Sequence, residues 1–125
     1  MRKIISIFIS VIFISCSTLK NGKQSAGCIE NDKFKKEFFA RINLVEQNLS
    51  LNQDSLFRSS LIFISNYAPV SFYETMNYAR VYPPQAFEKD KQVWIKWYED
   101  NKCKNVQLKE SYPIPEQYKE FFENK

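Results

Sequence analysis

Hydrophobic and polar positions divide the chain into a leader, a polar linker and a helical remainder. Arg2 and Lys3 precede an apolar and small run from Ile4 to Ser15, which ends at Cys16. That run falls short of the roughly 20 residues a spanning helix needs. A charged start, a short apolar core and a small residue before the break describe a secretory leader. Residues Ser17 to Ala26 are small and polar and read as a flexible tether. The folded part is expected from Gly27 onward.

Within it, apolar positions recur at helical spacing. Asn31 or Asp32 caps a helix running to about Asn48, with Phe34, Phe38, Ile42 and Val45 on one face. Asp54 caps a second, from Ser55 to Tyr67. Its rows are Phe57, Leu61, Ile64 and, adjacent, Leu56, Ser60, Phe63, Tyr67. Arg58 is its only charge, so it is the expected central helix. Pro69 stops it. Ser71 caps a short helical piece through Tyr78, with Glu74 completing a capping box. Tyr82, Pro83 and Pro84 are extended and lead into a helix from Gln85 to about Asn101. Phe87, Trp94 and Tyr98 share its inner face, with Ile95 and Trp97 on the flanks. Val106 to Leu108 reads as extended. Pro115 and Glu116 open a terminal helix whose Tyr118, Phe121 and Phe122 pack back. The pattern predicts a small all-α domain, residues 27–125, built as a helical bundle.

Composition supports this and narrows the chemistry. With 2 glycines and 5 prolines among 125 residues, helices are favoured over a tight-turned β-protein. The net charge is +4, and losing Arg2 and Lys3 with the leader lowers it to +2. That is too weak and too evenly spread for nucleic acid. Lys33, Lys35 and Lys36, and Lys102 with Lys104, read as solvated surface.

Phe13, Ile14, Ser15 and Cys16 resemble the lipobox of bacterial lipoproteins, with Phe13 where the box usually carries leucine. The resemblance implies cleavage after Ser15, a diacylglycerol thioether on Cys16, and acylation of the new amino group, for example by palmitate. Residues 1–15 are then the signal peptide and 16–26 the lipidated tether. Several acyl chains anchor stably where one does not. Ser17 after the anchoring cysteine leans toward the outer membrane or periplasmic face rather than inner-membrane retention. The alternative is an ordinary secreted protein with Cys16 beside the cut. From Asp54 to Asn101, the segments NYAPVS, YPPQAFEKD and VWIKWYEDNKC are similar to small uncharacterised bacterial lipoproteins with HEAT-like helical pairs. That likeness implies an antiparallel helix pair and no catalytic residue.

Export places the domain in an oxidising space. Cys28 and Cys103, the cysteines left after Cys16, then read as a disulfide. Closing a loop of about 75 residues is worth about 4.5 kcal/mol. Two free thiols or a metal pair are the rival readings, and without histidine the two cysteines form no usual zinc set.

With 0 histidines, Ser-His-Asp and Cys-His nucleophile systems, histidine-ligated metals and the usual neutral-pH base are excluded. Gly22 and Gly27 make no phosphate loop. Glu88 with Asp90, and Glu99 with Asp100, diverge around one helix and read as surface charges. Glu74 with Asp90 is a carboxylate pair from different segments and remains open. Trp94 belongs to the core stripe. Trp97 lies off it, as core or as an aromatic platform for a partner. Tyr67, Tyr73, Tyr78 and Tyr82 surround the irregular segment, either lining a groove or closing the bottom of the helix pair.

The expectation is a lipid-anchored envelope protein, non-enzymatic, without cofactor or metal, acting as an interaction or adaptor module for an envelope protein partner. Its expected contact surface is Tyr67, Tyr73, Tyr78, Tyr82 and an exposed Trp97. The alternative is an immunity or inhibitor lipoprotein that neutralises a toxin or hydrolase at the envelope.

Overall fold

A computed structural model describes residues 27–50, 53–75, 79 and 81–123. Cys16 and the leader and tether expectations lie outside them, as does Tyr78. The described elements are helical: α1 (Asp32–Gln47), α2 (Ser55–Ser65), α3 (Phe72–Thr75), α4 (Pro84–Asn101), a 3-10 turn at Glu116–Tyr118, and α5 (Glu120–Glu123). This is the small all-α domain that the pattern predicts.

Asn31 begins α1. Its Oδ1 accepts from the backbone N–H of Lys33 and Phe34 at 3.1 and 3.2 Å, satisfying groups a helix start leaves orphaned. Its Nδ2 donates to the carbonyl of Val106 at 2.9 Å, so the cap also holds the chain beyond α4. Phe34, Phe38, Ile42 and Val45 are all buried, as their spacing requires.

Asp54 caps α2 by accepting from Phe57 N–H at 2.7 Å. Phe57, Leu61, Phe63 and Ile64 are buried. The hydroxyls of Ser60 and Ser65 enter that apolar setting by donating to the carbonyls of Leu56 and Ile62 at 2.8 and 2.7 Å. Leu56 departs from the expected inner row and is 52% exposed. It lies in the first turn of the helix. The helix ends at Ser65, two residues early, and Tyr67 and Ala68 donate back to the carbonyl of Ile64 in a closing turn.

Pro84 occupies the first turn of α4, where its missing N–H costs nothing. Phe87, Trp94 and Tyr98 face the core. The indole N–H of Trp94 donates to the carbonyl of Pro69 at 2.7 Å, which ties the α2–α3 connection to α4. Past the helix, Cys103 is bonded to Cys28 with the Cα atoms 4.4 Å apart. The Asn105 N–H donates to the carbonyl of Ile29 at 2.9 Å, and Ile29 bridges Lys104 in parallel. The disulfide therefore sits within a hydrogen-bonded seam joining the start of the domain to the end of α4. Asn105 adopts φ 49°, a conformation asparagine tolerates.

The core is strongly aromatic. Phe34 stacks on Phe38 at 5.4 Å and meets Tyr67 edge-on at 4.8 Å, while Phe39 meets Tyr98 edge-on at 4.9 Å. Such geometry adds to burial.

Candidate functional site

The expected contact residues do not gather on one surface. Tyr82 is a correction: it is 0% exposed. Its N–H donates to the carbonyl of Leu49 at 3.1 Å, its ring meets Phe87 edge-on at 5.6 Å, and its hydroxyl donates to Asp90. Burial first, and then that hydrogen bond to Asp90, push its pKa far above the usual phenol range.

Trp97 is half-buried rather than exposed. Its ring lies 5.5 Å from Phe38 and 5.7 Å from Tyr67. Tyr67 is half-buried too, with its hydroxyl 3.1 Å from the carbonyl of Gln107 and 3.3 Å from the hydroxyl of Tyr112. The Lys109 ammonium lies 5.1 Å from its ring centre. Burial and the Tyr112 hydrogen bond raise the Tyr67 pKa. Tyr67 thus forms the wall against which the segment after α4 packs, and Trp97 lies beside it.

Among the described residues of that set, Tyr73 alone fits the expectation of a presented aromatic. It is 82% exposed, and its ring meets Phe121 edge-on at 5.2 Å. Beside it lies a groove of about 360 Å³. Val70, Phe72, Tyr73, Tyr118 and Phe121 supply its apolar surface, and Glu74, Gln117 and Glu120 its polar border. The phenol of Tyr118 accepts from the Val70 N–H at 3.1 Å, and its ring packs on buried Phe72 at 4.5 Å. The two walls are thereby locked together. The sequence pattern has Tyr118 and Phe121 packing back but gives no sign that they meet α3. A second hollow, about 230 Å³, lies between α3 and the start of α4, lined by Ser71, Glu74, Pro83, Gln85, Ala86 and Lys89.

Asp90 is the other correction. It is 7% exposed rather than a surface charge. Its carboxylate accepts from Ser71 N–H at 2.8 Å, from Ser71 Oγ at 2.7 Å, and from the Tyr82 hydroxyl. A buried carboxylate needs such donors. Ser71 therefore does not cap α3 through its own side chain: its hydroxyl is spent on Asp90, and Asp90 holds the start of α3 from another helix. Glu88 is exposed on α4 and does not converge with Asp90. Glu99 pairs with Lys102 at 2.5 Å and Asp100 with Lys96 at 2.6 Å, both on the surface. Among the described residues, no group of histidine, cysteine or acidic side chains is placed to hold a metal ion, and no helix is long and apolar enough to cross a membrane.

The three comparisons with known proteins return nothing: no family model, no curated protein and no solved structure matches the chain.

Proposed function

We propose that the protein is a lipid-anchored envelope protein that binds a protein partner through the groove beside Tyr73. The anchor is Cys16, carried on the tether 16–26, on the strength of the lipobox resemblance. The observation that carries the binding surface is Tyr73, a large aromatic left 82% exposed at the lip of an aromatic groove. An aromatic anchor beside a concavity is the usual composition of an interface centre.

The layout supports the pairing of anchor and groove. The described chain starts at Gly27, next to the disulfide that joins it to the C-terminal end of α4. Ser71, at the groove, bonds Asp90, which lies in the N-terminal half of that helix. About 16 Å of helix lies between Asp90 and Asn101. A tether arriving at Gly27 therefore reaches the domain at the disulfide end of α4, away from Ser71 and the groove.

A photo-crosslinking residue at position 117, on the polar border of the groove, in the membrane-anchored protein tests this in cells. One dominant envelope protein is expected, lost in a Tyr73→Ala variant that remains folded. Equal recovery with Tyr73→Ala removes the groove from the account. Failure of Cys16→Ala to release the protein from the membrane fraction removes the anchor.

A further inference from the structure

We propose that the end of the domain carrying the disulfide rests on the anionic headgroups of the membrane that holds the anchor. This rests on the lipid-anchor reading above and concerns a surface apart from the groove. The Cys28–Cys103 bond, with Cα atoms 4.4 Å apart, joins two lysine-bearing stretches that sequence alone reads as solvated surface. Beside it Ile29 pairs with Lys104, and Ile29 is left 61% exposed. Helix α1 begins at Asp32. Lys33 and Lys36 lie in its first two turns, no more than about 6 Å along its axis from that start. Lys33, Lys36 and Lys104 are all exposed. None of them makes an ion pair among the described residues, and Lys104 donates to the neutral side chain of Asn101 at 2.9 Å. Lys35 is spent on Glu30, and Lys102 on Glu99. Within residues 28–36 and 102–105, that leaves Asp32 as the acidic group standing against the free cations. Lys20 and Lys23, on the way to Gly27, add to the positive side.

Residues 16–26 reach at most about 40 Å when fully extended. Acylation of Cys16 therefore keeps this end close to the headgroups before any contact of its own forms. Each lysine that comes within about 8–10 Å of an anionic surface then raises the docked population about five-fold. Ile29, apolar and beside Lys104, suits the boundary between headgroups and acyl chains. A soluble acidic protein would have to compete with a surface that the tether never lets out of reach.

The test follows acetylation of individual lysines by a water-soluble succinimidyl ester, read by mass spectrometry, on the full lipidated chain in nanodiscs. Discs of phosphatidylcholine are compared with discs rich in phosphatidylglycerol. Lys33, Lys36 and Lys104 should react at least about three-fold more slowly in the anionic discs and regain their rates at high salt. Lys89, in the N-terminal half of α4 beside the second hollow, should react equally in both. Ile29→Asp, at an exposed position, should remove the protection while the chain stays in the discs. Equal rates at Lys33 and Lys104 in the two lipids, with the protein still eluting with the discs, overturn the inference and leave the anchor reading standing. Protection by inorganic phosphate in phosphatidylcholine discs assigns the surface to a free anion and overturns it too. So does protection that rises with the number of chains per disc rather than with lipid charge, which assigns the surface to a second copy. A lipid-processed chain that does not elute with the discs overturns the anchor reading and the inference with it.

Discussion

Replacing Asp90 by alanine should destabilise the fold far more than its position on a lysine-rich, mostly exposed stretch of helix suggests. The carboxylate is 7% exposed and accepts from Ser71 N–H, Ser71 Oγ and the Tyr82 hydroxyl. Its removal strands the fully buried Tyr82 hydroxyl and the Ser71 N–H. The Ser71 hydroxyl sits on the border of a hollow open to water and can find a new partner. Each stranded buried donor costs about 1–3 kcal/mol, so the loss is about 2–6 kcal/mol. That is a large share of the 5–15 kcal/mol typical of a domain. Asp90→Asn keeps an acceptor toward Ser71 N–H and Tyr82, and its amide can donate to Ser71 Oγ once that hydroxyl turns. It trades charged hydrogen bonds for neutral ones and should lose only about 1–1.5 kcal/mol. Tyr82→Phe removes one stranded donor in advance, so Asp90→Ala should cost about 1–3 kcal/mol less in that background. Equilibrium urea unfolding followed by far-UV circular dichroism measures the wild type and the four variants. An Asp90→Ala loss below about 0.5 kcal/mol, the scale of an ordinary surface change, refutes the reasoning.

Phe38→Ala, at the centre of the aromatic core and 0% exposed, should cost about 3–5 kcal/mol, whereas Tyr73→Ala should stay within about 0.5 kcal/mol by the same unfolding measurement. Reducing the Cys28–Cys103 disulfide, which spans a separation of 75 residues, should lower stability by about 4.5 kcal/mol, visible as a fall in Tm on adding reductant that a double alanine variant does not show. The Glu30 carboxyl is held below its ordinary 4.5 by the Tyr98 hydroxyl and then by Lys35. A depressed folded-state value means stability present above 4.5 and lost as pH falls through the lower value. Acid unfolding midpoints should therefore show a loss below pH 4.5 that is smaller in Glu30→Gln, and identical acid profiles would contradict it.

Elements set by their own periodicity were legible in the chain. Phe34, Phe38, Ile42 and Val45 specify the inner face of α1 without help, and Asn31 and Asp54 mark their helix starts because their chemistry suits little else. Residues whose surroundings come from elsewhere were not. Asp90 looks like a dipole-compensating surface charge because the sequence near it shows no donor. The donors arrive from Ser71 and Tyr82, on the far side of an irregular connection. Tyr82 itself, next to two prolines, looks like a loop tyrosine with one wet edge. It is buried because Phe87 covers its ring and Asp90 satisfies its hydroxyl. Trp97 was ambiguous, since a residue on the flank of a helix stripe is inner or outer according to what packs there. Here Phe34, Phe38 and Tyr67 pack against it. The groove joins Val70–Glu74 to the chain's last helical turns, a pairing no local spacing encodes.

The mounting of Tyr73 links the stability argument to the functional one. Helix α3 has 4 described residues, far too few to persist on propensity. Distant groups hold it instead: Asp90 at Ser71, the Gln53 amide on the carbonyl of Thr75 at 2.6 Å, Tyr118 on Val70, and Phe72 sunk 98% from solvent beneath it. Nothing in the core requires Tyr73 on that mount, because its own ring stays in water. A surface built to present one aromatic in a fixed orientation lowers the ordering cost of binding. The mount and the contact residue should therefore separate experimentally. Asp90→Ala should weaken both the fold and partner capture at position 117, because it loosens the platform. Tyr73→Ala should weaken capture alone. If Asp90→Ala destabilises the protein yet leaves capture at full strength, the rigid mount is irrelevant to binding and the groove loses its strongest structural rationale.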